Sequence, residues 1–227
     1  RPYSLVNAPG QSPAEIYYNP VPAGPLSPRP APLQPGDLLW TRDRANRTLT
    51  LDEVPDCPQL ELLATGTGVG PFVAMLADDG AWQRFERVLL VHSVRSPAEL
   101  GYRDRFEALA VRHPDRFRYL PTITRASQPG MLSRRIPQLI ADGSLEQAAG
   151  VTITPEAAHV MLCGSNGMIT DSLEVLGQRG WLIPFNPSDN IAFDNGVLVG
   201  DAARRSKPSS GGGIYMCMRA GVLAVQV

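Results

Sequence analysis

The sequence has 227 residues, 43% of them hydrophobic, and a formal net charge of -1. That length can bury the core of one large or two small domains, while the near-zero charge offers no field that draws in nucleic acid or an anionic membrane. No apolar run approaches the roughly 20 residues that span a bilayer, and Cys57, Cys163 and Cys217 are too few and too far apart for a disulfide framework or a zinc site.

In chain order, residues 1–55 come first, rich in proline and glycine. Short apolar pieces at 3–6, 15–18, 37–40 and 49–51 are separated by turn residues such as Pro9-Gly10 and Pro35-Gly36, which predicts short strands of a barrel or sandwich. The start, Arg1-Pro2-Tyr3-Ser4, lacks the basic-then-apolar layout of a signal peptide.

Residues 56–180 change character. A compact apolar strand is expected at 60–64, then a Gly-rich turn, then a helix opening at Pro71, since proline is tolerated in a first turn. Strands at 87–92, 116–120 and 159–163 follow. Between them lie a helix capped by Ser96 that carries Leu100, Phe106 and Leu109, and a helix with Ile136, Leu139 and Ile140. A last helix runs over 168–178 and stops near Gly180. This strand–helix alternation predicts an α/β domain with a doubly wound, mostly parallel sheet. Residues 181–227 fit neither pattern and include the low-complexity stretch 209–213.

Two turns carry chemistry. Thr65-Gly66-Thr67-Gly68-Val69-Gly70-Pro71-Phe72 follows a strand and opens a helix. Its glycines let the backbone approach a ligand closely, and free N–H groups at the helix start can hold a pyrophosphate. Cys163-Gly164-Ser165-Asn166-Gly167-Met168 follows a later strand. Ligands of doubly wound sheets collect at the carboxyl ends of strands, so both turns can face one cleft. By themselves the glycines also suit a tight connection with no ligand, and Cys163 also suits a small buried apolar residue.

Taken together, these residues resemble the bacterial ferredoxin/flavodoxin–NADP reductases, with three motifs in that family's order over 1–180. Arg1-Pro2-Tyr3-Ser4 looks like its FAD motif, 65–72 like its NADP pyrophosphate loop, and 163–168 like its nicotinamide-side motif. The resemblance implies that Arg1 pairs with the FAD pyrophosphate, Tyr3 packs on the isoalloxazine ring and Ser4 lies near its N5. Gly24, Leu26 and Ser27 belong to a second FAD-contacting stretch. Gly66, Gly68, Val69 and Gly70 border the NADP(H) pyrophosphate, while Gly164 and Met168 line the nicotinamide side. Thr67 and Cys163 sit where nicotinamide and flavin meet. Arg95, Arg125 and Arg135 stand where such reductases bind the 2′-phosphate, a choice guanidinium chemistry favours. Hydride then passes from NADPH to FAD and electrons leave singly to ferredoxin or flavodoxin, the flavin supplying the chemistry. A cytoplasmic monomer is implied, without metal, nucleic-acid or membrane partner. His92, late in its strand, reads as a structural histidine.

The sequence departs from the family in three ways. The strands that precede its Arg-x-Tyr-Ser motif do not precede it here, so 1–55 is expected to form only part of the antiparallel FAD-binding β-barrel, with unpaired edges. Pro20 and Pro30 replace a basic and an apolar residue. The family's ending is replaced by 181–227, read as a foreign or frame-shifted tail. The expected division is therefore a partial FAD-binding barrel (1–55), an NADP-binding α/β domain (56–180) and an atypical tail (181–227). Two alternatives stay open: an inactive, truncated NADP(H)-binding domain, and the reductase component of an oxygenase.

Overall fold

The computed structural model describes residues 3–20, 28–30, 32–39, 49–126, 129 and 131–181, together with the backbone of two short strands, Ala192–Phe193 and Gly196–Val197, paired antiparallel. Arg1, Gly24, Leu26 and Ser27 lie outside them, as does nearly all of the tail.

Four parallel strands form the centre: β1 (Gln59–Thr65), β2 (Arg87–Val94), β3 (Phe117–Ile123) and β4 (Ala158–Cys163), in the order β3-β2-β1-β4. All four match an expected strand. Among the described residues six α-helices accompany the sheet: α1 (Gly70–Ala77), α2 (Asp79–Arg84), α3 (Arg103–Arg112), α4 (Ile136–Ala141), α5 (Ser144–Ala149) and α6 (Asn166–Gln178). Successive strand residues point to opposite faces, and the core divides accordingly. Leu60, Leu62 and Ala64 pack with Phe72, Leu76 and Phe106 of α1 and α3, whereas Leu63 packs with Ile136, Leu139, Leu145 and Ile169 of α4 to α6. A sheet buried on both faces explains the near-continuous apolar runs of its strands.

The chain winds outward from β1 to β3 on one side, then crosses back to lay β4 on the other side of β1. The gap above the carboxyl ends of β1 and β4 is therefore the switch point of the sheet, where open α/β folds bind ligands. Among the described residues no helix is long and apolar enough to cross a membrane.

Local expectations need correcting in two places. Ser96 does not start the helix of Phe106. It precedes a single 3-10 turn, Pro97–Glu99, and its hydroxyl bonds the Glu99 carboxylate at 2.9 Å. Helix α3 begins only at Arg103, and Leu100 lies before it in a small core with Val94 and Ile123. The second correction concerns residues 37–39 and 49–51. The former are no strand, with Leu38 and Leu39 85% and 56% exposed, and Leu51 opens a 3-10 turn. Among the described residues before β1, the antiparallel pairing consists of the bridge between Leu5 and Ile16.

Candidate functional site

The Gly-rich turn leaves β1 as a 3-10 turn, Gly66–Val69, which runs directly into α1. Gly66 has φ +54°, a left-handed conformation that favours glycine. Val69 points inward and is fully buried in the core, so it can meet a ligand only through its backbone. No side chain caps the start of α1 and no acidic residue lies in its first turn. The Gly70 N–H already donates to the Thr67 carbonyl and Pro71 has none, so the free donors are those that open the 3-10 turn, which likewise has no side-chain cap and no acidic residue in its first turn. They and the positive end of the dipole are available to an anion.

The second turn leaves β4 beside it. A Cβ on Gly68 would stand 2.5 Å from the Cys163 carbonyl oxygen and 2.7 Å from the Gly164 Cα. Gly164, at φ +147°, would bring a Cβ to 2.9 Å from the Thr65 amide nitrogen. The two loops therefore touch backbone to backbone. The Ser165 N–H donates to Thr65 Oγ1 at 2.8 Å and ties them together. Ser165 in turn caps α6 by accepting from the Met168 N–H. Gly66 and Gly167 face open space instead.

Thr67 is half-buried in the first loop and Cys163 half-buried at the end of β4. Burial pushes the Cys163 thiol up to about 12, so it keeps its proton at neutral pH and offers a neutral contact rather than a thiolate. Met168 departs from the expected contact: its side chain is 7% exposed and packs in the core, leaving only its backbone near the turn. His92 is fully buried beneath the first loop, and its Nε2 lies 3.0 Å from the Gly66 carbonyl oxygen. Desolvation pushes its pKa down to about 4, against a smaller upward effect of that hydrogen bond.

Arg95 and Arg125 follow β2 and β3 at the same edge of the sheet, and the Arg125 N–H donates to the Arg95 carbonyl at 3.0 Å. The segment before α4 runs alongside β3, held by the Ile123 N–H to the Leu132 carbonyl at 2.9 Å and by a Thr122–Leu132 bridge. This brings Arg135, at the start of α4, to the β3 end of the sheet. All three arginines are exposed, and none forms an ion pair among the described residues.

The N-terminal segment reaches the same region. Val6 is fully buried, and its Cγ1 lies 3.3 Å from where a Cβ on Gly70 would stand. Tyr3 is half-buried, edge-on to Tyr18 with ring centroids 5.7 Å apart, and Ser4 is exposed. Tyr17 packs edge-on against Tyr102 at 5.3 Å, and the Tyr102 hydroxyl donates to the Glu15 carboxylate. Thr65 was expected only as the first residue of the loop motif and Glu15 and Tyr17 only as parts of a strand, while Gly101 and Tyr102 had no expected role. Their partners lie from 82 to 100 residues away in sequence, in the Tyr17–Glu99, Glu15–Tyr102 and Thr65–Ser165 bonds.

Comparison with known proteins bears on this arrangement. The family described as Oxidoreductase NAD-binding domain matches residues 62–174. A flavodoxin/ferredoxin–NADP reductase of Shigella flexneri is 41% identical over 172 residues, which are 76% of this chain and 69% of that protein. A ferredoxin–NADP reductase of Pseudomonas aeruginosa is 31% identical, over 79% of this chain and 72% of that protein. The crystal structure of a ferredoxin NADP+ reductase from Neisseria gonorrhoeae, with bound FAD and NADP, superposes with a TM-score of 0.74 at 36% identity. That superposition covers 82% of this chain and 75% of the other.

Proposed function

The chain belongs to the ferredoxin/flavodoxin–NADP reductase family, and from that premise we propose the work of its individual residues. Its reaction is electron transfer between NADPH and a one-electron carrier protein, ferredoxin or flavodoxin, with FAD as cofactor. FAD, when bound, accepts hydride from NADPH and gives up electrons one at a time.

The observation that carries the residue assignments is the pair of touching loops at the switch point of the sheet. Gly66 and Gly68, with Val69 through its backbone, hold the NADP(H) pyrophosphate against the uncapped start of the 3-10 turn, and Gly70, whose N–H is bonded to the Thr67 carbonyl, borders it where that turn passes into α1. Arg95, Arg125 and Arg135 bind the 2′-phosphate, their guanidinium groups being exposed and without ion pairs among the described residues. Thr67, Cys163 and Gly164 border the place where nicotinamide and flavin meet, with Cys163 as a protonated thiol. Tyr3 offers its ring to the isoalloxazine and Ser4 a hydroxyl to its N5. Arg1, Gly24, Leu26 and Ser27 complete the flavin contacts in this reading. The division at about residues 55 and 180 into a flavin-handling part, a nicotinamide-handling part and a tail belongs to the same proposal. So does a cytoplasmic monomer, supported by the widely spaced cysteines and the family resemblance.

The test is optical. The purified chain is mixed with FAD, desalted and scanned in the visible range, then given NADPH without oxygen. Retained yellow colour that bleaches on NADPH addition is expected, followed by turnover with ferredoxin or flavodoxin. A colourless protein that still binds NADP+ would leave only the nucleotide-binding part of the proposal standing.

A further inference from the structure

His92 carries two nitrogens in very different surroundings. Nε2 lies 3.0 Å from the Gly66 carbonyl oxygen, while Nδ1 is buried without a hydrogen-bond partner among the described residues. A carbonyl only accepts, so Nε2 must carry the proton and Nδ1 the lone pair. Phe106 of α3 stands edge-on to the ring, with centroids 6.5 Å apart. The imidazole is thus held between α3 and the first glycine of the loop. A buried, unpartnered nitrogen is a cost that an apolar residue at this place in β2 would avoid. What the imidazole supplies in return is one bond, to a backbone position at φ +54°.

We infer that His92 is a positioning residue for the nucleotide loop: its Nε2–H fixes the Gly66 carbonyl and so sets the path by which the following amides reach the pyrophosphate. The inference rests on the reading that this loop holds NADP(H). Desolvation keeps the imidazole neutral well below neutral pH, which preserves its donor and acceptor nitrogens. The side chain neither touches the reacting atoms nor transfers a proton.

Two variants of the full chain test this. His92→Leu removes the bond and keeps the bulk, whereas His92→Gln sets an amide N–H near the position of Nε2–H. With ferricyanide as electron acceptor, His92→Leu is expected to raise the KM for NADPH and the Kd for NADP+ about five- to tenfold. Its kcat at saturating NADPH and its flavin content stay near those of the parent. His92→Gln restores both constants to within about twofold. Parent-like NADP+ binding by His92→Leu overturns the inference, as does His92→Gln binding as weakly as His92→Leu. Failure of the unsubstituted chain to bind NADP+ overturns the loop reading itself, and the inference falls with it. Should His92→Leu not fold, long-range proton–nitrogen NMR of the unsubstituted chain decides. A single Nε2–H tautomer whose signals move on NADP+ addition is expected, and an Nδ1–H or mixed tautomer, or unmoved signals, would overturn it.

Discussion

Gly68 and Gly164 sit so close across the gap between β1 and β4 that neither can take a side chain without pushing backbone aside. Overpacking of this kind costs about 1–3 kcal/mol. Gly68→Ala is therefore expected to lower the melting temperature and to weaken NADP+ binding about tenfold, equivalent to ~1.4 kcal/mol. Differential scanning calorimetry and a nucleotide titration check both effects. Gly167, in the first turn of α6, faces open space with a helical backbone. Gly167→Ala is expected to leave stability unchanged or raise it by up to about 1 kcal/mol, since alanine favours helix. The two glycines look alike in a string of letters. Only the opposing loop distinguishes the one that must stay glycine from the one that need not.

At the scale of elements, the N-terminal segment is docked on the turn between β2 and α3. Tyr17 donates to the Glu99 carbonyl at 3.4 Å and packs against Tyr102, a residue held at φ +61° at the start of α3. Gly101 makes room for this contact, since a Cβ there would stand 2.5 Å from the Tyr17 Cζ. Gly101→Ala is expected to displace Tyr17 and loosen residues 3–18. Hydrogen exchange of the Val6 amide, which donates to the Glu15 carbonyl at 3.0 Å, should then speed about tenfold while β1 keeps its protection. Unchanged exchange at Val6 would mean that Tyr17 is not what holds the segment. The same turn explains the misplaced start of α3. Ser96 has the chemistry of a cap and Pro97 suits a first turn, but Leu100 leaves helical geometry at ψ 73° and Tyr102 is left-handed, which ends that turn before the helix proper.

Across the whole molecule, three buried ionisable groups set how stability varies with pH. Glu61, in the middle of β1, has its pKa pushed up to about 8, first by burial and then by the Glu146 carboxylate. It stays protonated in the fold over a range where the unfolded chain, titrating near its ordinary 4.5, has lost the proton. From this group stability falls as pH rises from 4.5 to about 8. His92 and His159 act in the opposite sense. Burial pushes each down to about 4, so the unfolded chain binds protons below 6.5 that the fold refuses. From these two, stability falls as pH drops from 6.5 to about 4. Together the three groups place a maximum near pH 6.5: two protons outweigh one below that value, and Glu61 acts alone above it. Thermal melts across pH 5–8 (~0.5 unit steps) should show that maximum. Glu61→Gln, which keeps the shape and loses the titration, is expected to turn the fall above it into a plateau.

The strand–helix alternation from β1 to α6 was legible in the sequence because a sheet covered on both faces needs apolar runs, and runs of that kind are visible without a structure. So were the two glycine turns, and with them the family. Their meeting was not, because Thr65 and Ser165 are neighbours only when β4 lies beside β1, an adjacency made by a crossover and not by sequence proximity. Core membership of Met168 and Val69 was hidden for a like reason: a residue inside a motif can contribute its amide and bury its side chain. Glu61 passed within the apolar strand expected at 60–64 without a role of its own, because its protonation is decided by burial in the fold and by the nearby Glu146 carboxylate. The sequence by itself determined which segments become the strands of the parallel sheet and where its two glycine turns lie, since those follow from apolar runs and local backbone chemistry. Tertiary structure decided which turns touch, which glycines must stay bare and which histidine holds the loop, since those depend on distances between segments far apart in the chain.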